Sequence, residues 1–353
     1  MHAMTMTTTV DGHSAARTRE RAIGIWLLAC CAVLWALVML GGATRLTESG
    51  LSIVDWRPVT GVLPPLDEAA WQAEFDKYRQ SPQYLKVNQG MTLGDFQLIF
   101  WYEYGHRLLA RLLGFVFALP LAWFWLRGAI PTRLKRPLIG VLALGALQGW
   151  MGWFMVRSGL VDIPRVSHYR LAAHLSLALA IYACMFWLAV RTLAPAPADA
   201  PVRPRAGWWL LALAATTILW GAFVAGLRAG HMFNTFPTMG GHWIPPGLDA
   251  FDPSWLNLFE NPVAVQFVHR LLALTLFGCV LVMWWRGRRT VDRVLRSAQH
   301  GLLAAVLLQV VLGISTLLLH VPVWLGTLHQ GGAVLLLSAV LWWLGRGRPG
   351  ARA

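Results

Sequence analysis

Four histidines stand inside long apolar stretches of this chain: His106, His174, His269 and His329. An ionisable side chain in such a stretch is costly unless it is paired or put to use. The four form a repeated set. His106 and His269 each open the run His-Arg-Leu-Leu-Ala, within WYEYGHRLLAR at 101–111 and AVQFVHRLLAL at 264–274. His174 and His329 each lie near the start of a later apolar run. Two imidazoles on facing helices suit the two axial positions of a haem iron, with Leu, Phe and Trp around the macrocycle. Zinc or di-iron sites want three or more close ligands, often carboxylates, and these stretches hold few. We therefore expect all four histidines to ligate haem iron, one pair in each half of the chain.

The neighbouring residues fit that chemistry. Arg107 and Arg270 follow the two histidines, and Arg45 and Arg228 close the apolar run that precedes each. A guanidinium pairs bidentately with a carboxylate, so these arginines are expected at haem propionates. Arg111 lies four residues from Arg107 on the same helical face and has Leu274 at its repeat position. Glu103 breaks the repeat more sharply. It precedes His106 by three residues, and Gln266 takes its place in the second half. A carboxylate can move protons or stabilise a developing cation. Substrate chemistry is therefore assigned to the first half, with Glu103 as the catalytic acid, and a structural or electron-transfer role to the second. The competing reading is that Glu103 pairs with Arg107 or Arg111. Gly105, Gly114, Gly149 and Gly152 are expected near the pocket. The other histidines are read as tail, loop or span-end residues: His2, His13, His168, His231, His242, His300 and His320.

Eight apolar helices must position these groups. Hydrophobic residues make up 57% of the chain and charged ones 13%, about half the usual charged share of a soluble domain. Runs of about 20 uncharged residues match a bilayer core. Spans are expected at 22–43, 99–126, 137–156, 171–193, 208–227, 264–285, 299–319 and 324–344. The formal net charge of +14 does not indicate nucleic-acid binding. The basic residues gather in short connections: Arg127 to Arg136; Arg191, Arg203 and Arg205; Arg286 to Arg296. The tails add Arg17, Arg19, Arg21, Arg346 and Arg348. All fall on one side of an alternating bundle, which the positive-inside rule makes cytoplasmic, with both termini. No small-residue cleavage site precedes the first span, which is expected to stay. Cys30, Cys31, Cys184 and Cys279 all lie in spans and read as small packing residues.

The chain reads as one unit written twice. Gln148 with Gly152 mirrors Gln309 with Gly313, and Gly42-Ala43-Thr44-Arg45 is matched to Ala225-Gly226-Leu227-Arg228. Each long outward loop, 44–97 and 228–262, carries a Pro pair, Pro64-Pro65 and Pro245-Pro246. The expected fold is all-α: eight transmembrane helices as two tandem four-helix bundles related by a pseudo-twofold axis along the membrane normal. Its parts are a cytoplasmic tail 1–21, a first bundle 22–194, a linker 195–206, a second bundle 207–345 and a tail 346–353. A short amphipathic helix is expected over 67–79 with Asp67 as N-cap, and Asp95 as the cap of the second span.

A family resemblance enters on particular residues. Gly41-Gly42-Ala43-Thr44-Arg45-Leu46-Thr47-Glu48-Ser49-Gly50-Leu51-Ser52 resembles the start of the first outward loop of haem A synthases. So does Trp56-Arg57-Pro58 through Gly61 to Pro64-Pro65, and Glu103-Tyr104-Gly105-His106-Arg107 is similar to that family's Glu-plus-His motif. The resemblance implies oxidation of the C8 methyl of haem O to the formyl of haem A for cytochrome oxidase. It implies that His106 and His174 bracket the substrate haem, that His269 and His329 ligate haem b, and that Glu103 is the acid needed for oxidation. It also implies a haem O synthase upstream. Some members carry a Cys pair in the first outward loop; this chain has none there, like the cysteine-free branch common in proteobacteria.

Two rivals stay open on the residues alone: a di-haem b-type cytochrome exchanging electrons with quinone, and a haem carrier or transporter. The expected setting is the bacterial inner membrane, surrounded by lipid. An electron donor or acceptor and a homo-oligomer are the remaining expected partners, and nucleic acid is not one.

Overall fold

A computed structural model describes residues 4–56, 61–160, 164–196 and 205–347. Arg57, Pro58, Arg203, Arg348, His2 and most of the expected linker lie outside the described residues, as do the side chains of His13 and Arg205. The helices are α1 (Met4–Leu46), α2 (Glu68–Arg79), α3 (Pro82–Lys86), α4 (Leu93–Leu126), α5 (Thr132–Arg157), α6 (His168–Leu193), α7 (Arg205–Gly226), α8 (Pro262–Gly287), α9 (Arg293–Leu318) and α10 (Val323–Gly345). All but α2 and α3 are long and apolar enough to cross a membrane. The chain is thus an all-helical, multi-pass membrane protein.

Four helices make the centre. α1 packs on α6 and α10, and α7 packs on the same two. The other four lie outside: α4 on α1, α5 on α6, α8 on α7 and α9 on α10. One core joins Leu27, Cys30 and Leu34 of α1 to Leu138 and Val141 of α5, Met185 of α6 and Leu337 of α10. A second joins Leu210 and Ala214 of α7 to Leu276 and Val280 of α8, Leu302 and Val306 of α9 and Val340 of α10. Lipid tails are as apolar as Leu, so close packing rather than water exclusion holds such helices together. Cys30 and Cys31 take the expected packing role, whereas Cys184 and Cys279 are exposed.

The spans begin earlier than hydropathy marks them, because polar helix formers extend the helix beyond its apolar part. α1 runs back to Met4, so much of the expected tail 1–21 is helical; a stretch such as Ala-Ala-Arg-Thr-Arg-Glu-Arg-Ala has no Gly or Pro to stop it. Asp67 caps α2 as expected, accepting from Ala70 N–H. Asp95 is not the cap of α4. Thr92 is, and Asp95 completes a capping box by accepting from the Thr92 N–H, since the helix starts three residues earlier than assumed.

The first outward loop folds over α4 through Phe75, Tyr78, Tyr84, Phe96 and Phe100. Tyr78 is fully buried. Its hydroxyl donates to Gln83 Oε1 (3.1 Å) and accepts from Asn88 (2.7 Å), and burial pushes its phenol up to about 12. Gln83 in turn donates to the Glu48 carbonyl (2.8 Å) and so ties this lid to the end of α1.

Just past α1 and α7, Glu48 (φ 57°) and Arg228 (φ 54°) both adopt the left-handed conformation. They form an ion pair with each other. Arg45 donates to the Ala225 carbonyl (2.6 Å) at the end of α7. These contacts join the two outward ends.

Candidate functional site

Each of the four intramembrane histidines leans on a glycine of the adjacent helix. A Cβ on Gly41 of α1 would lie 2.9 Å from His106 Cε1, and one on Gly221 of α7 would lie 3.2 Å from His269 Cε1. A Cβ on Gly152 of α5 would lie 3.3 Å from His174, and one on Gly313 of α9 would lie 2.9 Å from His329. Any larger residue would push the ring away, so the glycines set where the imidazoles stand. Across each set of helices, His106 lies within electrostatic reach of His174, and His329 of His269.

The same contacts correct the expected repeat register at the ends of α1 and α7. Gly41 corresponds to Gly221, so Arg45 falls opposite Ala225 rather than Arg228, a shift of three residues. Of the glycines expected at the pocket, Gly152 does approach a histidine. Gly105 meets only Leu40, while Gly114 and Gly149 have open space around them. Gly41 and Gly221 were missed; aligning the ends of the two spans on glycine instead of arginine would have found them.

The rings are held from behind. His269 Nδ1 donates to the Thr217 carbonyl (3.1 Å). A carbonyl only accepts, so the proton sits on Nδ1 and the Nε2 lone pair is left for a metal. Gln148 Nε2 reaches the His174 ring (3.2 Å) and donates to its carbonyl (3.1 Å). Gln309 does the same for His329, at 3.2 and 3.0 Å. His106 Nδ1 and the Oε1 atoms of Gln148 and Gln309 are buried without a hydrogen-bond partner. Among the described residues no three of His, Cys, Asp or Glu converge. The donors on offer are therefore imidazoles in twos, held in apolar walls. This donor set, with its orphaned nitrogen and glycine cradles, fits a haem held by two axial histidines.

Glu103 is buried and fully engaged. Its Oε2 accepts from the Ser52 hydroxyl (2.8 Å) and the Ile53 N–H (2.8 Å), and its Oε1 accepts from Arg107 (2.6 Å). Arg107 also donates to the carbonyls of Ile53 (2.9 Å) and Asp55 (3.0 Å). Of the two arginines considered as partners for Glu103, Arg107 makes the ion pair. The pair clamps the first outward loop onto α4. The second half repeats the clamp without charge on the acceptor side. Gln266 donates to the Phe233 carbonyl (3.1 Å), and Arg270 donates to those of Phe233 (2.8 Å) and Thr235 (2.8 Å). Arg107 and Arg111 line a cavity of about 330 Å³ under the first loop, with Asp55, Lys77 and Tyr104. The Lys77 ammonium is held above its ordinary range, first by its hydrogen bond to Glu74. Arg45 and Arg228 are the two that bridge the helix ends.

Residues 24–341 match the family model described as "Cytochrome oxidase assembly protein". The chain is 49% identical to a haem A synthase of Rhodospirillum centenum over 343 residues, 96% of this chain and 91% of the relative. It is 50% identical to that of Nitrosospira multiformis over 329 residues, 92% of each chain. With that of Paramagnetospirillum magneticum it shares 47% over 345 residues, 96% of this chain and 97% of the relative.

Proposed function

The chain belongs to the cytochrome oxidase assembly protein family, and we propose that it is a haem A synthase, an oxidoreductase that converts haem O to haem A by turning the C8 methyl into a formyl group. The observation that carries the site assignment is the fourfold histidine–glycine contact, written once in each pair of neighbouring helices. In this reading residues 22–194 and 207–345 are two bundles related by a pseudo-twofold axis. His106 and His174 grip the substrate haem in the first, and His269 and His329 hold a resident haem b in the second. The difference between Glu103 and Gln266 supports that division.

Bound haem supplies the redox chemistry. The protein's own residues do the rest. The glycines and glutamines fix the imidazoles, so the macrocycle is placed rather than sought. Glu103, Ser52 and the Ile53 N–H form a charged, hydrogen-bonded anchor where the first loop meets α4, beside the His106 turn. The carboxylate is positioned to hold or pass a proton as positive charge develops on the substrate. The lid built on Tyr78 covers this anchor from the outward side and keeps bulk water from it. Arg111, with the Arg107 side chain, brings positive charge to the cavity beside it, where propionates are accommodated.

The basic connections support a setting in a bacterial inner membrane with both termini in the cytoplasm and the lid outside. A haem O synthase is the upstream partner, and an electron acceptor or donor completes the cycle. The test is extraction and mass identification of haem after expression with a source of haem O. Haem A and haem b together support the proposal. Haem b alone would mark a di-haem cytochrome, and absence of haem would mark a carrier.

A further inference from the structure

The two halves differ on the inward face of one helix. On α5 that face runs through Leu138 and Val141, both buried, and on to Gly152 at His174. Gly145 lies between them on the same face by helical spacing. Yet it is exposed, and a Cβ built there would meet nothing within 4 Å. Gly149, one turn on, has the same open surroundings. In α9 the residues at the same distance from Gly313 are Val306 and Val310. Val306 is 1% exposed and packs in the core with Leu276, Val280 and Leu302. The outer helices follow suit: α8 packs along α9, whereas α4 and α5 approach each other at only a few positions. So the first half has open space at Gly145 where the second has a packed valine, beside a pair of helices, α4 and α5, that touch little.

This open space lies on the helix face that carries Gly152 and the candidate haem pocket. Gln148, whose buried Oε1 has no partner, lies between Gly145 and Gly152 on α5. Gly145 is seven residues from Gly152, about 10 Å along the axis toward the middle of the span. A haem bound with its propionates toward water turns its apolar edge in that direction. Haem O differs from haem b in carrying a long isoprenoid chain. Resting on the assignment of His106 and His174 to haem O, we infer that the space at Gly145 and Gly149 receives this isoprenoid tail. Val306 closes the equivalent space in the second half and so reserves that half for a haem without a tail. The α4–α5 line gives the tail contact with the bilayer, in which it dissolves, and no covalent step is involved.

The test is spectroscopic titration of the purified full chain, with haem b retained in the second half, using haem O and tailless haem B as separate ligands. Gly145→Ala and Gly145→Val form a size series. Alanine favours the helix over glycine, so that variant folds even where valine perturbs packing. Haem O affinity is expected to fall with side-chain size, by about tenfold or more for Val, as overpacking costs imply. Haem B affinity stays flat across the series, and second-half haem b is retained. Equal affinity for haem O in all three proteins overturns the inference. So does a parallel loss of both ligands, which would place the side chain against the macrocycle or the fold. The function proposal fails separately: a wild-type chain that binds haem O but yields no haem A would sink that reading and leave the tail subsite standing.

Discussion

Glu103 decides more than any other single side chain, because its carboxylate is buried and has three donors around it. Removing one partner of a buried ion pair costs about 3–5 kcal/mol, so Glu103→Ala is expected to loosen the first outward loop as well as abolish activity. Glu103→Gln keeps the shape and drops the charge, copying the second half. We expect it to retain both haems by absorbance and to make no formyl product by mass; normal haem A output would remove the catalytic assignment. The histidines separate the two sites. His269→Ala is expected to strip haem b from the purified protein, whereas His106→Ala keeps haem b and loses haem O binding. The histidines were legible because imidazole is conspicuous in an apolar run. The Glu103–Arg107 pair was legible too, from its four-residue spacing. The loop carbonyls that Arg107 and Arg270 also reach were not, because no side-chain pattern records where a loop backbone passes.

At the scale of the helix, glycine contact turns four separate spans into mounts for an imidazole ring. Gly221→Val would bring a branched side chain onto the His269 ring, which a close-packed interior cannot absorb without moving it. The expected outcome is a protein that inserts normally but holds haem b weakly, read as faster haem loss to apomyoglobin. An unchanged loss rate would show that the glycine does not set the ring. Thr92→Ala tests the other kind of element signal. It removes the cap of α4, worth about 1 kcal/mol, and should lower the thermal midpoint slightly while leaving haem content intact. The existence and number of spans were legible because twenty uncharged residues have few alternatives. Their ends and register were not. Polar helix formers extend α1 well past its apolar stretch. The conspicuous arginines at its outer end drew the repeat three residues out of step, while the glycines that mark the true register look like ordinary packing residues in sequence.

At the scale of the whole molecule, the two halves meet through the central helices and through a small polar junction at their outward ends. The left-handed residues Glu48 and Arg228 pair there, and Arg45 reaches the last carbonyls of α7, Ala225 (2.6 Å) and Gly226 (3.3 Å). Neither contact was legible in the sequence, because each joins the end of one half to the end of the other and depends on how the halves pack. The ion pair is about one-third exposed on each side, so its coupling energy should be modest, in the range of about 0.2–1 kcal/mol. A double-mutant cycle with Glu48→Gln and Arg228→Gln, read by thermal unfolding in detergent, isolates that coupling from the separate effects of each change. Arg45→Ala should cost more than either. It strips a charged donor from two carbonyls at a helix end, where few other partners exist. If the cycle gives no coupling and Arg45→Ala is silent, the junction is incidental and the halves are joined by the apolar core alone. If both effects appear while haem b stays bound, the outward ends act as a clasp that fixes one haem pocket relative to the other.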